Sequence, residues 1–273
     1  MFGRPSIELK SPGEIRVMRK AGLVVADVHD AVRAVMADGV RTRDLDAVAA
    51  DVLASAGARS NFLGYHGFPG VLCVSVNDEV VHGIPGDRVL REGDVVSVDA
   101  GAIVDGWHGD AAFTAIVGAG DQRDRAMVDA AEAALWDGIA ALAGGGRLGV
   151  VGDAIETALE SNGTRYGIIR DYVGHGIGTA MHQPPDVLNY RSTHRGPKIK
   201  AGLCVAIEPM ITRGSEETAV LEDEWTVVTT DGSRAAHTEH TVAVHEDGIW
   251  VLTARDGGAE ALTTRGVTPA ALD

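Results

Sequence analysis

The hydrophobic pattern of the chain begins with two helices and continues with strands. The capping-box signature Ser11-Pro12-Gly13-Glu14 precedes apolar positions at helical spacing over residues 15–35, and this first predicted helix ends near Gly39. A second helical pattern covers residues 45–53. Apolar runs of strand length follow from residue 71 to about residue 117.

The same order of elements then occurs a second time. Helical spacing over residues 127–142 ends at the glycines 144–146, and a fourth helical pattern over residues 151–159 ends at Gly163. Further strands are predicted within residues 166–252. Two helices followed by strands, twice over, predict an internally duplicated α+β fold with a pocket where the two halves meet.

The chain contains no segment with the composition of an interdomain linker, so we expect one domain over residues 1–273. Residues 1–6 are predicted to be a short tail. Residues 255–273, rich in Gly, Ala and Thr from about Asp256, are predicted to be a loose C-terminal tail.

Composition excludes some classes of partner. The net charge of −15 argues against broad contact with DNA or an anionic membrane. No apolar run approaches the ~18 residues of a membrane span. The two cysteines, Cys73 and Cys204, give no disulfide framework, so we expect a protein of the reducing cytoplasm.

The dipeptide Asp105-Gly106 predicts a two-residue hairpin turn between apolar segments. In that register Asp99 faces Ala112 and Gly101 faces Asp110. Asp99 and Asp110 then share one face of the hairpin as diagonal neighbours, with Cβ atoms roughly 7–8 Å apart or less. A β-bulge at a glycine would change this parity, and either aspartate alone could be an ordinary turn-flanking acid. A second hairpin turn is predicted at Asp231-Gly232.

Five chemically active residues lie beside apolar runs that are predicted strands. They are Asp99, Asp110, His175, Glu208 and Glu239. Four carboxylates and an imidazole cannot all be buried and ionised without a counter-charge, and a pair of divalent cations would supply it. Oxygen-rich ligation with one nitrogen suits Mn, Fe, Co or Zn, and two such ions form a hydrolytic site.

Several histidines carry weaker signals. His82 and His182 lie in loops, where each could be a surface residue or could donate to a substrate carbonyl. His237-Thr238-Glu239-His240 is not the helical zinc motif. On a strand, His237 and Glu239 share a face and His240 points away, so His240 is interpreted as structural and the role of His237 stays undecided. His66 carries no functional signal.

The motifs around these residues resemble those of type I methionine aminopeptidases, which have the pita-bread metallopeptidase fold shared with aminopeptidase P and prolidase. The resemblance covers residues 7–254. Its segments are LGYHGFP at 63–69, NDEVVHGIP at 77–85, Asp99-Ala100-Gly101, WHGD at 107–110, GHGIG at 174–178, Met181-His182, IEPM at 207–210 and TEHT at 238–241.

The resemblance implies a role for each ligand. Asp99 would bind one ion through both oxygens, and Asp110 and Glu239 would bridge two divalent ions (Co, Mn, Fe or Zn). His175 and Glu208 would complete the shell of the second ion. A hydroxide bound by both ions would attack the first peptide bond, with Glu208 also moving the proton of the water.

The resemblance also implies a substrate site. His182 would stabilise the oxyanion and His82 would contact the scissile amide nitrogen. The residues implied to bind the substrate are Phe62, Tyr65, Phe68, Cys73, His82, Met181, His182 and Trp225. In this family cysteine is common at the position of Phe62, tyrosine at that of Phe68 and phenylalanine at that of Met181, so the width of the pocket is left open.

The implied activity is removal of the initiator methionine from nascent proteins when the second residue is small. The expected partners are the N-termini of nascent polypeptides, near the ribosome, with no DNA and no membrane, and the enzyme is expected to be a cytoplasmic monomer. Two alternatives stay open. One is a related pita-bread exopeptidase of different N-terminal specificity, and the other is a non-catalytic binding protein of the same fold.

Overall fold

The computed structural model describes residues 6–271, and these form helices and short strands in the predicted order. The helices are α1 (Pro12–Val35), α2 (Thr42–Ser55), α3 (Gln122–Ala143), α4 (Val150–Ser161) and α5 (Ala259–Thr263). The strands are β1 (Arg59–Ser60), β2 (Leu72–Val76), β3 (Glu79–Val81), β4 (Val95–Val104), β5 (Trp107–Ile116), β6 (Gly167–Ile168), β7 (Gly174–Gly176), β8 (Gln183–Val187), β9 (Cys204–Ile207), β10 (Met210–Thr212), β11 (Thr218–Val220), β12 (Val227–Thr229), β13 (Ala235–His237), β14 (His240–His245) and β15 (Gly248–Val251).

The predicted capping box begins α1. The Ser11 hydroxyl accepts from the Glu14 N–H, and the Glu14 carboxylate accepts from the Ser11 N–H at 2.7 Å. This reciprocal pair satisfies two donors that the first turn of a helix leaves free. The helix ends at Val35, before the predicted end near Gly39, because Met36 is already extended.

Each pair of long helices covers one sheet. The apolar faces of α1 and α2 pack on the sheet β1-β4-β2, to which β5 is added beside β4. The apolar faces of α3 and α4 pack on the five-stranded sheet β15-β14-β9-β7-β8. The duplicated arrangement of helices and strands is therefore present in the structure.

The hairpin formed by β4 and β5 has the predicted register without a bulge. Asp99 pairs with Ala112, and Gly101 pairs with Asp110. Asp105 and Gly106 both have positive φ, which is the conformation of a type I′ turn. The two aspartates consequently lie on one face of the hairpin.

The hairpin predicted at Asp231-Gly232 is wrong. Strand β12 pairs with β11 and β3, whereas β13 pairs with β10 in another sheet. The Asp231 carboxylate accepts from the N–H groups of Ser215 (2.7 Å) and Ser233 (3.0 Å). These bonds fix a bend that carries the chain from one sheet into the next, so the flanking strands do not face each other.

The predicted loose C-terminal tail is also wrong for the described part of residues 255–273. Helix α5 places Leu262 in the core beside α3, where its side chain is fully buried. Arg265 pairs with Asp137 at 2.5 Å, and the Ala270 N–H donates to the Ile249 carbonyl at 2.8 Å. Apolar packing and polar contacts thus hold a segment whose composition resembles a loop.

Of the predicted N-terminal tail, residues 1–5 lie outside the described residues. Within residues 6–271 no helix is both long enough and apolar enough to cross a membrane. The prediction of a single domain stays a prediction.

Candidate active site

All the residues that the sequence assigned to metal or substrate binding line one cavity of about 240 Å³. Those that could bind metal are Asp99, Asp110, His175, Glu208 and Glu239. Those that could bind substrate are Phe62, Tyr65, Phe68, Cys73, His82, Met181, His182 and Trp225. The cavity therefore has a carboxylate cluster (Asp99, Asp110, Glu208, Glu239) beside a group of aromatic and sulfur-containing side chains.

The first half of the fold contributes two members of the carboxylate cluster. Asp99 lies in the middle of β4 and Asp110 in β5, so the paired strands fix both backbones. Small residues face both aspartates across the hairpin, with Ala112 opposite Asp99 and Gly101 opposite Asp110. Asp110 is buried.

The second half contributes Glu208 and Glu239 with His175. His175 lies in β7, Glu208 follows β9 and Glu239 precedes β14, and these three strands belong to one sheet. The Nε2 atom of His175 is 3.5 Å from Oε1 of Glu208. Asn189 donates from Nδ2 to the Glu208 carbonyl at 3.1 Å and so fixes the peptide that carries this carboxylate.

Backbone pairing joins the two halves at the site. The Glu239 N–H donates to the Ala112 carbonyl at 2.9 Å, and the Ala112 N–H donates back to the Glu239 carbonyl at 3.3 Å. Since Ala112 faces Asp99 across the hairpin, this pairing places Glu239 next to both aspartates. The position of the site between the two halves agrees with the sequence expectation.

Burial shifts the protonation of the carboxylate cluster. Removal from water raises the pKa of Asp99 to about 7 and that of Glu208 to about 8. The pKa values of Asp110 and Glu239 lie well above the ordinary range, through burial first and the neighbouring carboxylates second. Burial lowers the pKa of His175 to about 3, so this imidazole is neutral and its ring nitrogen can bind a metal.

Unpartnered atoms show that the cluster fits divalent cations. Oδ1 of Asp99, Oδ1 of Asp110 and Oε1 of Glu239 are buried without a hydrogen-bond partner among the described residues. Two sets of donor atoms have all members within 4.8 Å of one another, namely Asp110, His175 and Glu239, and Glu208, His237 and Glu239. Buried oxygens without partners are costly unless a cation binds them, and oxygen donors with imidazole nitrogen suit divalent transition metals.

The remainder of the cavity forms an apolar recess made by Phe62, Phe68, Cys73 and Met181. All four side chains are buried, and Tyr65, Ile84 and Trp225 pack around them. The Phe68 ring meets Trp225 edge-on, with centroids 5.1 Å apart. Cys73 also pairs with Asp99 across β2 and β4, so the recess directly adjoins the carboxylate cluster.

Comparison with known proteins identifies the family. The profile of metallopeptidase family M24 matches residues 16–246. The chain belongs to this family. It is 50% identical over 256 residues to "Methionine aminopeptidase 1" of Mycobacterium tuberculosis, covering 92% of this chain and 96% of that protein. It is 42% identical over 244 residues to "Methionine aminopeptidase 1" of Bacillus subtilis, covering 89% and 98% respectively.

Solved structures give the same result for the fold of this M24 metallopeptidase. The crystal structure of methionine aminopeptidase from Thermotoga maritima superposes with a TM-score of 0.88 at 42% identity, covering 92% of this chain and 100% of that one. Prolidase from Pyrococcus furiosus superposes with a TM-score of 0.72 at 20% identity, covering 90% of this chain and 65% of that one. At this identity the likeness shows the fold alone. The predicted family, pita-bread fold and enzyme class are confirmed.

Two loop histidines of the M24 metallopeptidase reach the cavity. The Nδ1 atom of His182 lies 2.9 Å from the Tyr65 hydroxyl, and its ring centroid is 4.3 Å from that of His175. His82 has a positive φ of 59° and meets the Trp225 ring edge-on at 6.2 Å. Burial lowers the pKa of His82 to about 4 and also lowers that of His182, so both rings are neutral.

Three further residues line the cavity that the sequence did not assign to it, namely His66, Val81 and His237. His66 follows Tyr65 in a short 3-10 turn, and nothing in the local pattern distinguishes it from a surface histidine. His237 could have been chosen because it alternates with Glu239 along the chain. His240 is structural, as expected, since its Nδ1 bonds Thr253 Oγ1 at 2.8 Å and its ring packs on Trp136.

Proposed function

We propose that this M24 metallopeptidase removes the N-terminal methionine from nascent polypeptides when the second residue is small. The observation that carries the proposal is the apolar recess, which lies in the same cavity as the carboxylate cluster and adjoins it through Cys73 and Asp99. A side chain in the recess would place the bond that follows it beside the metal-binding groups. The relatives named methionine aminopeptidase support the same reaction.

The chemistry of the recess suits methionine in particular. Its walls are two phenylalanine rings, a cysteine and a methionine, and Trp225 packs against them. Soft, polarizable and apolar groups favour an unbranched thioether and give no partner to a charged side chain. A neutral, flexible side chain about as long as methionine is therefore the expected occupant.

We propose that two divalent ions, Co, Mn, Fe or Zn, bind in the carboxylate cluster. Asp99, Asp110, His175, Glu208 and Glu239 would hold these ions. Such ions, when bound, lower the pKa of a water molecule and polarise the scissile carbonyl. The unpartnered oxygens of Asp99, Asp110 and Glu239 support this assignment.

The remaining catalytic steps belong to side chains of the protein. Glu208 would accept the proton of the attacking water and pass it to the leaving amine. The Tyr65 hydroxyl lies 2.9 Å from Nδ1 of His182 and would donate to it in the tautomer that has the ring proton on Nε2. Nε2 can then donate to the oxyanion, while His82 contacts the scissile amide nitrogen.

We further propose that the enzyme acts as a cytoplasmic monomer close to the ribosome. Cys73 and Cys204 are free and buried, which agrees with a reducing compartment. Sedimentation of the pure protein tests the monomer, and co-sedimentation with ribosomes tests the location. A stable dimer or the absence of ribosome binding would contradict the corresponding part.

The proposed reaction is tested with the matched peptides Met-Ala-Ser and Met-Phe-Ser. Metal-stripped protein is refilled with Mn, Fe, Co or Zn, and free methionine is measured. Release from the first peptide alone, only with metal, is the expected result. If neither peptide releases methionine, peptides that begin with other residues are tested, and release of their first residue would identify a related exopeptidase. Metal binding without release from any peptide would identify a binding protein.

A further inference from the structure

His237 is a buried histidine with a free ring nitrogen facing the carboxylate cluster. The residue is 2% exposed, and its Nε2 is buried with no hydrogen-bond partner among the described residues. Nε2 lies 3.7 Å from Oε2 of Glu208 and 4.0 Å from Oε2 of Glu239. A buried nitrogen without a partner is costly, so this arrangement requires an explanation.

The backbone holds His237 in this position. Its N–H donates to Thr114 Oγ1 at 2.9 Å, and the Thr114 hydroxyl donates to its carbonyl at 2.6 Å. Met210 of β10 pairs with it on the other side. The ring therefore faces the carboxylates because the strand is fixed between neighbours.

The distances fit ligation better than hydrogen bonding. At 3.7 Å, Nε2 is too far from Glu208 for a direct hydrogen bond. Two atoms that each lie ~2.1 Å from one ion are ~3.0 Å apart at a right angle and ~4.2 Å apart in line. Both His237 distances fall within this range, as does the 3.5 Å between His175 and Glu208.

The donor atoms also divide into two sets with one imidazole each. One set contains His175 with Asp110 and Glu239, and the other contains His237 with Glu208 and Glu239. Glu208 lies between the two rings, since its Oε1 is nearest to His175 and its Oε2 to His237. The Nε2 atom of His237 has no hydrogen-bond partner among the described residues, which leaves it available to a cation.

We propose that His237 is a sixth protein ligand of the metal centre, so that each of the two ions is bound by one imidazole. This inference rests on the proposed dinuclear site. It differs from the set of five ligands expected from the sequence, in which one ion is bound by oxygen alone. A second nitrogen ligand would make the centre more selective for transition metals over Mg²⁺ or Ca²⁺.

X-ray absorption spectroscopy of the cobalt-loaded full chain tests the proposal, because scattering from the imidazole ring counts histidines per ion. With two ions bound we expect an average of one imidazole per cobalt in the wild type. H237Q and H175Q should each lower that average from one imidazole per cobalt to a half. H66A removes a histidine that lines the same cavity and should leave the count unchanged.

An imidazole count that is the same in H237Q and the wild type would overturn the proposal, and so would a wild-type average of a half. The imidazole count of the wild type tests the proposal even if a variant does not fold. Metal affinity alone would not show whether His237 is a ligand, because loss of a residue that only orients a ligand also weakens metal binding by about 10–100-fold. Absence of cobalt binding would instead contradict the proposed function, so the two failures are distinguishable.

Discussion

The hydroxyl of Thr241 bonds both the N–H and the carbonyl of Asp110. The Thr241 hydroxyl donates to the Asp110 carbonyl at 2.7 Å and accepts from the Asp110 N–H at 3.0 Å. Thr241 is fully buried in β14, whereas Asp110 belongs to the β4–β5 hairpin. One hydroxyl thus connects the two halves of the fold at a residue of the carboxylate cluster.

T241V removes both hydrogen bonds with little change in shape. We expect the free energy of unfolding to fall by about 1–3 kcal/mol, because two buried backbone groups lose their partner. We also expect weaker Mn²⁺ binding, since Asp110 is held less firmly. Urea unfolding of the metal-free protein measures the first effect and titration calorimetry the second.

T229V is the matched control for Thr241. The Thr229 hydroxyl is also buried and donates to the Ser233 carbonyl at 2.8 Å, but it does not line the cavity. This variant should lose stability and keep the Mn²⁺ affinity of the wild type. Equal losses of Mn²⁺ affinity in both variants would show that Thr241 has no particular role at the site.

The sequence predicted the hairpin with Asp99 and Asp110 because every determinant of that element is local. The Asp105-Gly106 turn fixes the register, and the register fixes which side chains share a face. The same turn chemistry at Asp231-Gly232 gave the wrong answer. There the flanking strands pair with distant strands, and no local signal reports which sheet a strand joins.

The sequence could not predict the part of the site that depends on contacts between distant segments. The pairing of Ala112 with Glu239 and the bonds between Thr114 and His237 join residues more than a hundred positions apart. His237 faces the carboxylates only because of those bonds. Its alternation with Glu239 was visible in the chain, but the neighbour that fixes its direction was not.

Metal-free protein should lose stability as pH rises from about 6.5 to about 8. Burial raises the folded-state pKa of Asp99 to about 7 and of Glu208 to about 8, whereas both are ionised in the unfolded chain at these pH values. The folded state then binds more protons, so the free energy of unfolding falls by about 1.4 kcal/mol per pH unit for each proton involved. Urea midpoints measured with a chelator across this range check the sign.

The pH window is chosen to separate carboxylates from histidines. The folded-state pKa of His175 is lowered to about 3 and that of His82 to about 4, so the unfolded chain binds more protons at these two residues below about pH 6.5, and their contribution to stability rises with pH there. The unfolded histidines lose their remaining protons as the pH rises above about 6.5, so the carboxylates dominate the slope toward pH 8. E208Q should reduce the slope and bound Mn²⁺ should abolish it. A midpoint that rises between pH 6.5 and 8 without metal would contradict the assignment.

Gly101 provides the space that Asn61 occupies behind Asp110. Asn61 donates from Nδ2 to the Gly109 carbonyl at 3.0 Å, and its Oδ1 bonds His108 Nδ1 at 2.9 Å. A Cβ on residue 101 would lie 2.2 Å from that Nδ2 and 2.6 Å from the Asn61 Cβ. We expect G101A to lower the free energy of unfolding by about 1–3 kcal/mol through overpacking.

Two double variants test whether the clash with Asn61 causes the loss of stability in G101A. N61A/G101A keeps a Cβ at residue 61, so the clash at 2.6 Å persists and stability should stay low. N61G/G101A removes both contacts and should be the more stable of the two, although glycine itself costs about 0.5–1 kcal/mol. Thermal unfolding of the four proteins checks this order. Equal stability of the double variants would place the strain of G101A elsewhere.

Tyr65 should act on catalysis through His182. Its hydroxyl lies 2.9 Å from Nδ1 of that ring, and by donating to Nδ1 it would favour the tautomer with the proton on Nε2. Loss of an oxyanion donor costs about 10²–10³-fold in kcat, and Y65F keeps the donor but loosens it, so we expect a fall in kcat of about tenfold. KM for Met-Ala-Ser should change by less than about twofold, because the aromatic ring that lines the cavity remains.

A double-variant cycle separates this role from a general loss of packing. If Tyr65 works by orienting His182, Y65F should have no further effect on kcat once H182A has removed the ring. Y190F removes a hydroxyl that donates to the Arg170 carbonyl at 3.4 Å outside the cavity, and it should leave kcat unchanged. A tenfold fall caused by Y65F in the H182A background would show that the hydroxyl acts on the substrate or on another residue. Steady-state kinetics of the five proteins, all loaded with the same metal, gives the answer.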